Sequence, residues 1–302
     1  HKQPEGRKVR ADINSRKVEK PEQDRQPEGR KNSRSIETER IHKNRRLQMA
    51  GMITVTGMVL TASPIKEYDR RVELLTREIG RISAFVPGAR KPGSPLAAAA
   101  IPFTFGIYRL YQGRSSYNVH SVEIDTYFDA IAGDFDAMCY ASYFAEMVRH
   151  FTRENLQAQE ELKLLYITCK AVTHQQMSWK LMRTIFEMRL MQVEGEALEL
   201  FRCVRCGEEQ EHPGILLSQG GIVCSHCLAT DRQLQAKTAG EKVWQLSPDA
   251  LYTLQIILTR ELGRLYSFRV SEAVEEELAD FMRVYLHRYI GIEFKSLQFI
   301  NL

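Results

Sequence analysis

Four cysteines in two Cys-x-x-Cys pairs constrain this chain more than any other feature of its sequence. Cys203 and Cys206 form the first pair, Cys224 and Cys227 form the second, and 17 residues separate the two pairs. This spacing is typical of a structural zinc site, in which four thiolates fill the tetrahedral positions of Zn²⁺. The pattern therefore predicts a zinc module over residues 203–227, with the metal in a structural role because no coordination position stays open.

The segment between the pairs is typical of a hairpin, with strands at 215–217 and 222–223 and a turn at 218–221. Two disulfides or a redox use of the cysteines are alternatives, as is a degenerate site without metal. We expect the two remaining cysteines to be inert thiols on apolar helix faces: Cys139 and Cys169. Two histidines are alternative ligands that we expect at the surface: His212 and His226.

The charge is unevenly distributed along the 302 residues, whose net charge is only +4. Residues 1–51 hold 15 Lys and Arg against 8 Asp and Glu, whereas residues 129–302 hold 18 against 24. Apolar residues are almost absent from 1–51, and the hexapeptide 3–8 returns at 26–31. We therefore expect a disordered basic leader there, either a functional arm or a non-native extension.

Residues 52–128 predict a small β-barrel. Five short segments rich in β-branched and aromatic residues follow one another, interrupted by a Gly-, Pro- and Ala-rich loop at 87–100. Five strands fit the OB-fold, although strand spacing alone does not separate it from other small barrels. The predicted strands are 53–60, 71–76, 80–86, 103–111 and 117–125.

The remaining residues, 129–302, predict a helical domain into which the zinc module is inserted. Apolar residues recur there at helical spacing, and Ser247 followed by Pro248 is typical of a helix N-terminus. The predicted helices are 134–152, 157–173, 176–190, 248–262 and 271–289. The predicted fold class is therefore α+β multidomain: an N-terminal OB-fold β-barrel and a C-terminal all-helical domain with an inserted four-Cys zinc hairpin module.

Basic and aromatic residues interleave in the predicted barrel, a pattern that favours binding of nucleic acid. Cations displace counterions from phosphates, and exposed aromatic rings stack on unpaired bases, although half of a barrel's aromatics face its core. The cations cluster around the second and third strands and the loop that follows: Arg70, Arg71, Arg77, Arg81, Arg90 and Lys91, joined by Arg109 and Arg114. The candidate stacking residues are Tyr68, Phe85, Tyr108, Tyr111 and Tyr117.

Catalytic signatures are weak. The loop 88–94 has the two glycines of a phosphate loop but lacks the Lys that reaches the phosphates, and the zinc-protease and serine-hydrolase motifs are absent. We therefore expect no enzymatic activity, with a zinc-containing nuclease or nucleotide hydrolase as the alternative and a scaffold or transcription regulator as a third class. No apolar run is long enough to cross a bilayer, so we expect a cytoplasmic protein.

Taken in order, these segments resemble the bacterial DNA recombination and repair protein RecO family. The resemblance covers residues 52–302 and leaves the leader without a counterpart. Its markers are the segments 57–60, 68–71, 74–82 and 88–91, Pro102-Phe103, the two cysteine pairs, and the segments 287–291 and 294–297. It implies an N-terminal OB-fold, a helical domain with an inserted zinc module, binding of single- and double-stranded DNA, and annealing of complementary strands.

The resemblance also implies partners. These are RecR, the acidic C-terminal tail of the single-stranded DNA-binding protein, and indirectly RecA, which is loaded onto gaps; a membrane is not among them. A bacterial, nucleoid-associated location follows from the same resemblance. Carried onto this sequence, the DNA-binding candidates are Arg70, Arg71, Arg77, Arg81, Arg90 and Lys91, and the four cysteines are the metal ligands.

Overall fold

The computed structural model describes residues 51–114, 116–209 and 214–300, which fall within one compact unit. The expected leader lies outside the described residues except for Gly51, and so does His212. Among the described residues, no helix is both long enough and apolar enough to cross a membrane.

Five strands close into a barrel at the N-terminal end of this unit. Their order around the barrel is β1-β2-β3-β5-β4, and β1 closes it by pairing with both β2 and β4. All neighbours are antiparallel except β3 and β5. The strands are β1 Met52–Ile65, β2 Asp69–Thr76, β3 Gly80–Val86, β4 Phe105–Gln112 and β5 Tyr117–Thr126. The predicted five-stranded barrel is therefore confirmed.

Alternation along the strands explains the barrel core. On β2 and β3, Val72, Leu74 and Ile82 point inward and are buried, whereas their sequence neighbours lie on the outer face. Tyr108 and Tyr117 are also buried in this core. The suggestion that these two tyrosines stack on bases is therefore wrong, because their rings fill the barrel.

Helices and a short hairpin make up the rest of the described chain. The helices are α1 Asp129–Gly133, α2 Phe135–Phe151, α3 Gln159–His174, α4 Trp179–Val193, α5 Ser225–Thr230, α6 Arg232–Lys237, α7 Pro248–Thr259 and α8 Glu272–Ile290, and the hairpin strands are β6 Gly214–Leu216 and β7 Gly221–Val223. Ser247 and Ser271 cap α7 and α8, since each side chain accepts a hydrogen bond from a backbone N–H in the first turn. Both helix starts were predicted from these serines.

Two strand boundaries differ from the predicted ones, and local structure explains both differences. β4 begins at Phe105 and not at residue 103, because Phe103 adopts a φ of 65° outside the extended region and its side chain is buried. β1 runs to Ile65, five residues beyond the predicted end, because it pairs with β2 as far as the Ile65–Asp69 pair. The longer hairpin moves its turn to residues 66–68.

One face of the barrel packs against the helices. Met58, Leu60 and Leu75 point away from the barrel core and are buried in the same apolar cluster as the helical domain. At the β2–β3 turn, Gly80 has a φ of 71°, and a Cβ there would lie 2.1 Å from the Arg153 carbonyl oxygen. Only glycine permits this approach, so the turn and the segment after α2 are held together by backbone contact.

Candidate functional site

The four cysteines of the predicted zinc module converge. The sulfur atoms of Cys203, Cys206, Cys224 and Cys227 all lie within 4.8 Å of one another. Among the described residues, they are the only group of three or more His, Cys, Asp or Glu side chains arranged to hold a metal ion. The arrangement can therefore bind a metal with four sulfur ligands and no water-occupied position.

Each cysteine pair is shaped by its own backbone. Gly207 adopts a φ of 79° after the first pair and donates its N–H to the Cys203 carbonyl at 2.8 Å. In the second pair, Cys224 caps α5, and its Sγ accepts a hydrogen bond from the Cys227 N–H at 3.3 Å. The Cys224 N–H in turn donates to Cys203 Sγ at 3.3 Å, which links the two pairs.

The surroundings shift the pKa values of Cys203 and Cys227 in opposite directions. Burial opposes the Cys203 thiolate, but backbone N–H groups of Cys224, Cys206 and Arg205 lower the pKa of Cys203 to about 6. Burial and the neighbouring thiols raise the pKa of Cys227 to about 12. Four thiolates this close repel one another, and a bound metal would compensate their negative charge.

An ion pair that sequence reasoning missed braces the two halves of the module. Arg205 lies inside the first cysteine pair, and its Nε and Nη2 contact Asp231 Oδ2 at 2.9 and 2.6 Å. Asp231 also caps α6 through its other oxygen, Oδ1. The spacing of 26 residues between Arg205 and Asp231 carries no local signal, so only the folded module pairs them.

The hairpin of the module has two different faces. Leu216 and Val223 pack with the cysteines in a small cluster of six buried residues. Ile215, Leu217 and Ile222 belong instead to the core of the helical domain. The hairpin therefore connects the cysteine cluster to the helical core, because alternate residues of a strand point to opposite faces.

The basic candidates divide between the two ends of the β2–β3 hairpin. We call the first group the basic end; it comprises the exposed Tyr68 and five cations: Lys66, Arg70, Arg71, Arg90 and Lys91. The Lys91 ammonium lies 5.6 Å from the centre of the Tyr68 ring. The exposed Arg71 donates from Nε to the Ser83 hydroxyl at 2.7 Å. Sequence reasoning missed Lys66, which is exposed in the β1–β2 turn.

Short hydrogen bonds hold the loop after β3 against this end. Asp69 Oδ1 accepts from the Gly88 N–H at 2.8 Å, and the Tyr68 carbonyl accepts from the Arg90 N–H at 2.9 Å. Arg70 is partly buried and donates from Nη1 to the Ala100 carbonyl at 3.0 Å. The loop that carries Arg90 and Lys91 is therefore fixed next to β2, and the cations are presented together.

The other end of the hairpin uses its cations differently. Arg81 contacts Glu73 at 3.3 Å and donates from Nε to the Thr152 carbonyl at 3.2 Å. Arg149 of α2 forms an ion pair with the same Glu73. Arg77 is exposed but pairs with Glu78 at 2.8 Å. Arg81 thus joins the barrel to the helical domain, and its cation is already engaged there.

A pocket of about 590 Å³ near the C-terminus was not recognised from the sequence. We call it the C-terminal pocket; its basic side chains are Arg183, Arg283, His287 and Lys295, and its apolar side chains include Leu286, Ile290, Phe294 and Leu297. Arg183 is 9% exposed, and its Nε donates to the buried Glu187 at 2.6 Å. Burial opposes the charge of Arg183, but Glu187 and Tyr143 outweigh that effect and raise its pKa. The pocket therefore has a permanently charged guanidinium at its wall.

Comparison with known proteins agrees with this architecture. Residues 49–128 match the family described as Recombination protein O N terminal, and residues 132–298 match Recombination protein O C terminal. Similar proteins named DNA repair protein RecO occur in Clostridium novyi (28% identical over 246 residues, 81% of this chain and 92% of that protein) and Acetivibrio thermocellus (26% over 250 residues, 82% and 96%). The relative in Symbiobacterium thermophilum is 28% identical over 254 residues, 83% and 97% of the two chains. The resemblance inferred from the ordered sequence markers is confirmed, and the chain belongs to the RecO family of DNA repair and recombination proteins.

Proposed function

We propose that this chain is a non-enzymatic mediator of recombinational DNA repair. It binds single- and double-stranded DNA, anneals complementary strands and, with RecR, helps load RecA onto gaps covered by single-stranded DNA-binding protein. Family membership supports the setting in DNA repair. The single observation that carries the DNA-binding part is the basic end of the barrel, where four cations are exposed and one of them, Lys91, lies 5.6 Å from the centre of the exposed Tyr68 ring.

The basic end suits strand annealing because that reaction needs no covalent chemistry. Two DNA strands repel each other, and a surface that binds both releases counterions and lowers that repulsion. The Tyr68 ring offers a stacking surface for an unpaired base, beside Lys91. Base pairing then supplies the driving force and the sequence specificity.

A strand-annealing assay with the purified chain, without ATP and at several salt concentrations, tests this proposal. The triple variant Arg71→Glu, Arg90→Glu, Lys91→Glu should bind a single-stranded oligonucleotide about tenfold or more weakly. The matched control reverses three exposed cations of the helical domain: Arg232, Lys237 and Arg264. Both variants change the net charge equally, so equal loss of binding would mean that net charge and not the basic end is responsible.

We propose Zn²⁺ as the metal of the cysteine cluster, in a structural role. Four thiolates close together suit Zn²⁺, and the small cluster of six buried residues, three of which are these cysteines, is a core too small to fold alone. The metal centre lies on the opposite face of the hairpin from the helical core. The cysteines therefore stabilise the module and do not act on DNA.

Metal removal tests this role. A chelator, or the variant Cys206→Ser, should release one zinc per chain and expose the amides of residues 203–227 to hydrogen exchange before those of the barrel. The variant Cys139→Ser is the matched control, because Cys139 lies outside the cluster. Full protection of the module after demetallation would contradict a structural role.

We propose that the C-terminal pocket receives the acidic C-terminal tail of the single-stranded DNA-binding protein. Its basic side chains suit carboxylates, and its apolar wall suits hydrophobic side chains of the same peptide. The Arg183 guanidinium is positioned by Glu187 and lies 5.1 Å from the centre of the Tyr143 ring. Because this guanidinium is already held in place, a carboxylate binds it without the entropy cost of ordering the side chain, which favours affinity.

A fluorescently labelled peptide of that tail tests this site. The exposed cations Arg283 and Lys295 are changed to Glu, which leaves the buried Arg183 network intact, and peptide affinity should fall about tenfold. The control variant Arg264→Glu changes an exposed cation outside the pocket. Equal affinity of all variants, or equal binding of a scrambled peptide, would remove the C-terminal pocket from the proposal.

A further inference from the structure

A second pocket of the helical domain lies between α3 and the loop that joins α7 to α8. It has a volume of about 380 Å³, and we call it the α3 pocket. The lining residues used below are Tyr166, Lys170, Gln176, Met177, Tyr266 and Ser267. Among the described residues, no Asp or Glu lines it. Its volume falls in the range of about 300–1,000 Å³ that is usual for ligand sites.

Aromatic rings form part of the wall of the α3 pocket. The Tyr266 hydroxyl lies 2.6 Å from the Thr168 hydroxyl, and the Tyr166 hydroxyl lies 3.2 Å from the Thr126 hydroxyl. The polar end of each ring is therefore already paired, and the rings present apolar surface to the pocket, beside the buried Met177. Such a wall suits a flat ligand such as an unpaired base, because aromatic rings stack on any base.

The surroundings of the α3 pocket are cationic, although the helical domain as a whole is acidic. Residues 162–186 lie between two glutamates and contain four Lys and Arg but no Asp or Glu. The loop 260–271 contains three Arg against one acidic residue, Glu261. Three cations of the first segment are paired with glutamates: Lys163, Lys180 and Arg183. The fourth cation of that segment lines the pocket.

Three cations at the α3 pocket are not compensated by carboxylates. Among the described residues, Lys170, Arg260 and Arg269 form no ion pair with Asp or Glu. Arg269 donates from Nε and Nη2 to the Gln176 carbonyl at 3.1 and 2.9 Å, and Arg260 Nη1 lies 3.5 Å from the Ser267 hydroxyl. Both contacts are to residues that line the pocket, so the uncompensated charges lie beside it and attract an anion.

The α3 pocket and the basic end lie at different ends of the barrel. The Tyr166 ring centre is 4.6 Å from that of Phe105 on β4, and Phe105 pairs with Met58 on β1. The basic end begins beyond Ile65, seven residues further along β1, which corresponds to about 20 Å. The two surfaces are therefore separate, and each can hold its own DNA strand.

We propose that the α3 pocket binds an unpaired nucleotide of a second DNA strand while the basic end holds the first strand, an inference that rests on the annealing activity proposed above. The base packs against Tyr166 and Tyr266. The phosphates on either side of it pair with Lys170, Arg260 and Arg269. A single strand fits this site and a duplex does not, because paired bases are stacked inside the double helix and do not enter a pocket.

Cross-linking locates the bound base. The probe is a single-stranded oligothymidine that carries one 5-iododeoxyuridine; it is irradiated with the purified full chain at low salt, and the adducts are mapped by mass spectrometry. Adducts are expected on the peptides that contain Tyr166 or Tyr266. They should persist in the variant Arg71→Glu, Arg90→Glu, Lys91→Glu, in which the basic end is reversed. Absence of adducts from both tyrosine peptides would overturn the proposal.

Annealing rates test whether the pocket holds a second strand. Lys170→Glu with Arg269→Glu should slow annealing about tenfold but weaken binding of one short oligonucleotide at most about twofold, because the basic end still holds the first strand. Lys170→Ala alone, which changes an exposed side chain, should slow annealing about threefold. The matched control, Arg232→Glu with Lys237→Glu, changes the net charge equally at exposed positions outside the pocket and should anneal at the wild-type rate.

The outcomes separate this inference from the function on which it rests. If the wild-type chain and the pocket variants anneal strands at the same rate, the α3 pocket is not a strand site, while the proposed function stands. If the wild-type chain does not anneal strands, the proposed function fails and this inference fails with it. Displacement of the cross-linking probe by an acidic peptide or a duplex, but not by unlabelled single strand, would also overturn the inference. Slower annealing in the pocket variants alone, with single-strand binding retained, supports it.

Discussion

Arg71 and Arg81 belong to the same two-stranded hairpin but have different surroundings. Both lie on the outer face of the barrel. Along the strand direction their positions are four residues apart, which corresponds to about 13 Å. Arg71 is exposed and bonds only to a serine hydroxyl, among the described residues, whereas Arg81 bonds to Glu73 and to the Thr152 carbonyl. The comparison shows that a cation on the barrel is engaged at the domain junction or stays exposed according to what the helical domain covers.

The largest expected effect concerns the glycines at the two ends. Gly80→Ala should lower the free energy of unfolding by about 3 kcal/mol or more, because the new Cβ meets the Arg153 and Leu156 carbonyl oxygens and φ is positive. Gly93→Ala, in the loop at the basic end, also has a positive φ but nothing within 4 Å. It should cost only about 1 kcal/mol. Urea unfolding measures both, and equal losses would mean that the junction is not tightly packed.

The second prediction separates stability from DNA binding. Arg81→Ala should lower the free energy of unfolding by about 2 kcal/mol, because Glu73 loses one of its two arginine partners and the Thr152 carbonyl loses a donor. Arg71→Ala should cost at most about 0.5 kcal/mol, since its side chain is exposed. DNA affinity, measured below the melting temperature, should fall more for Arg71→Ala than for Arg81→Ala. A larger loss of DNA binding for Arg81→Ala than for Arg71→Ala would contradict the contrast drawn between the two arginines.

The third prediction uses salt to count phosphate contacts at the basic end. Arg90→Ala and Lys91→Ala should each reduce the slope of log affinity against log salt concentration by about one. Arg81→Ala should leave the slope unchanged, because the Arg81 cation is already paired with Glu73. Titrations of one labelled oligonucleotide at several salt concentrations give all three slopes, and identical slopes for wild type and variants would exclude these phosphate contacts.

The smallest expected effect concerns Asp69, which holds the loop of the basic end through the Gly88 N–H. Asp69→Asn removes a negative charge but keeps an acceptor oxygen, so DNA binding should tighten about twofold. Asp69→Ala removes the charge and the acceptor, and the freed loop should cancel that gain. If both variants bind DNA equally tightly, charge alone governs the basic end and the fixed loop has no influence.

Sequence patterns predicted the features that depend on neighbouring residues. The cysteine spacing predicted a cluster that could hold a metal, because each pair is shaped by its own turn. Five short segments rich in β-branched and aromatic residues predicted the barrel, and the capping serines Ser247 and Ser271 predicted two helix starts, because these signals act within a few residues. Strand boundaries were predicted less accurately: β4 begins two residues after the predicted start, because Phe103 is buried outside the strand.

Features that depend on distant residues were not visible in the sequence. Arg81 resembles the other cations of the barrel until α2 brings Thr152 and Arg149 beside it. Arg183 was not singled out as a functional residue. Its partner Glu187 lies one helical turn away, but the pocket beside Arg183 forms only when the end of α8 packs there.

The sequence by itself determined the family, the order of barrel and helices, and the thiolate set, because hydrophobic period, capping and cysteine spacing are short-range properties of the chain. The tertiary structure alone decided which cations stay free, since that depends on which surfaces the helical domain covers. It also decided where pockets form between distant segments. Burial and the pairing of charges are long-range consequences of packing, so residues of the same type acquire different surroundings at the two ends of one hairpin.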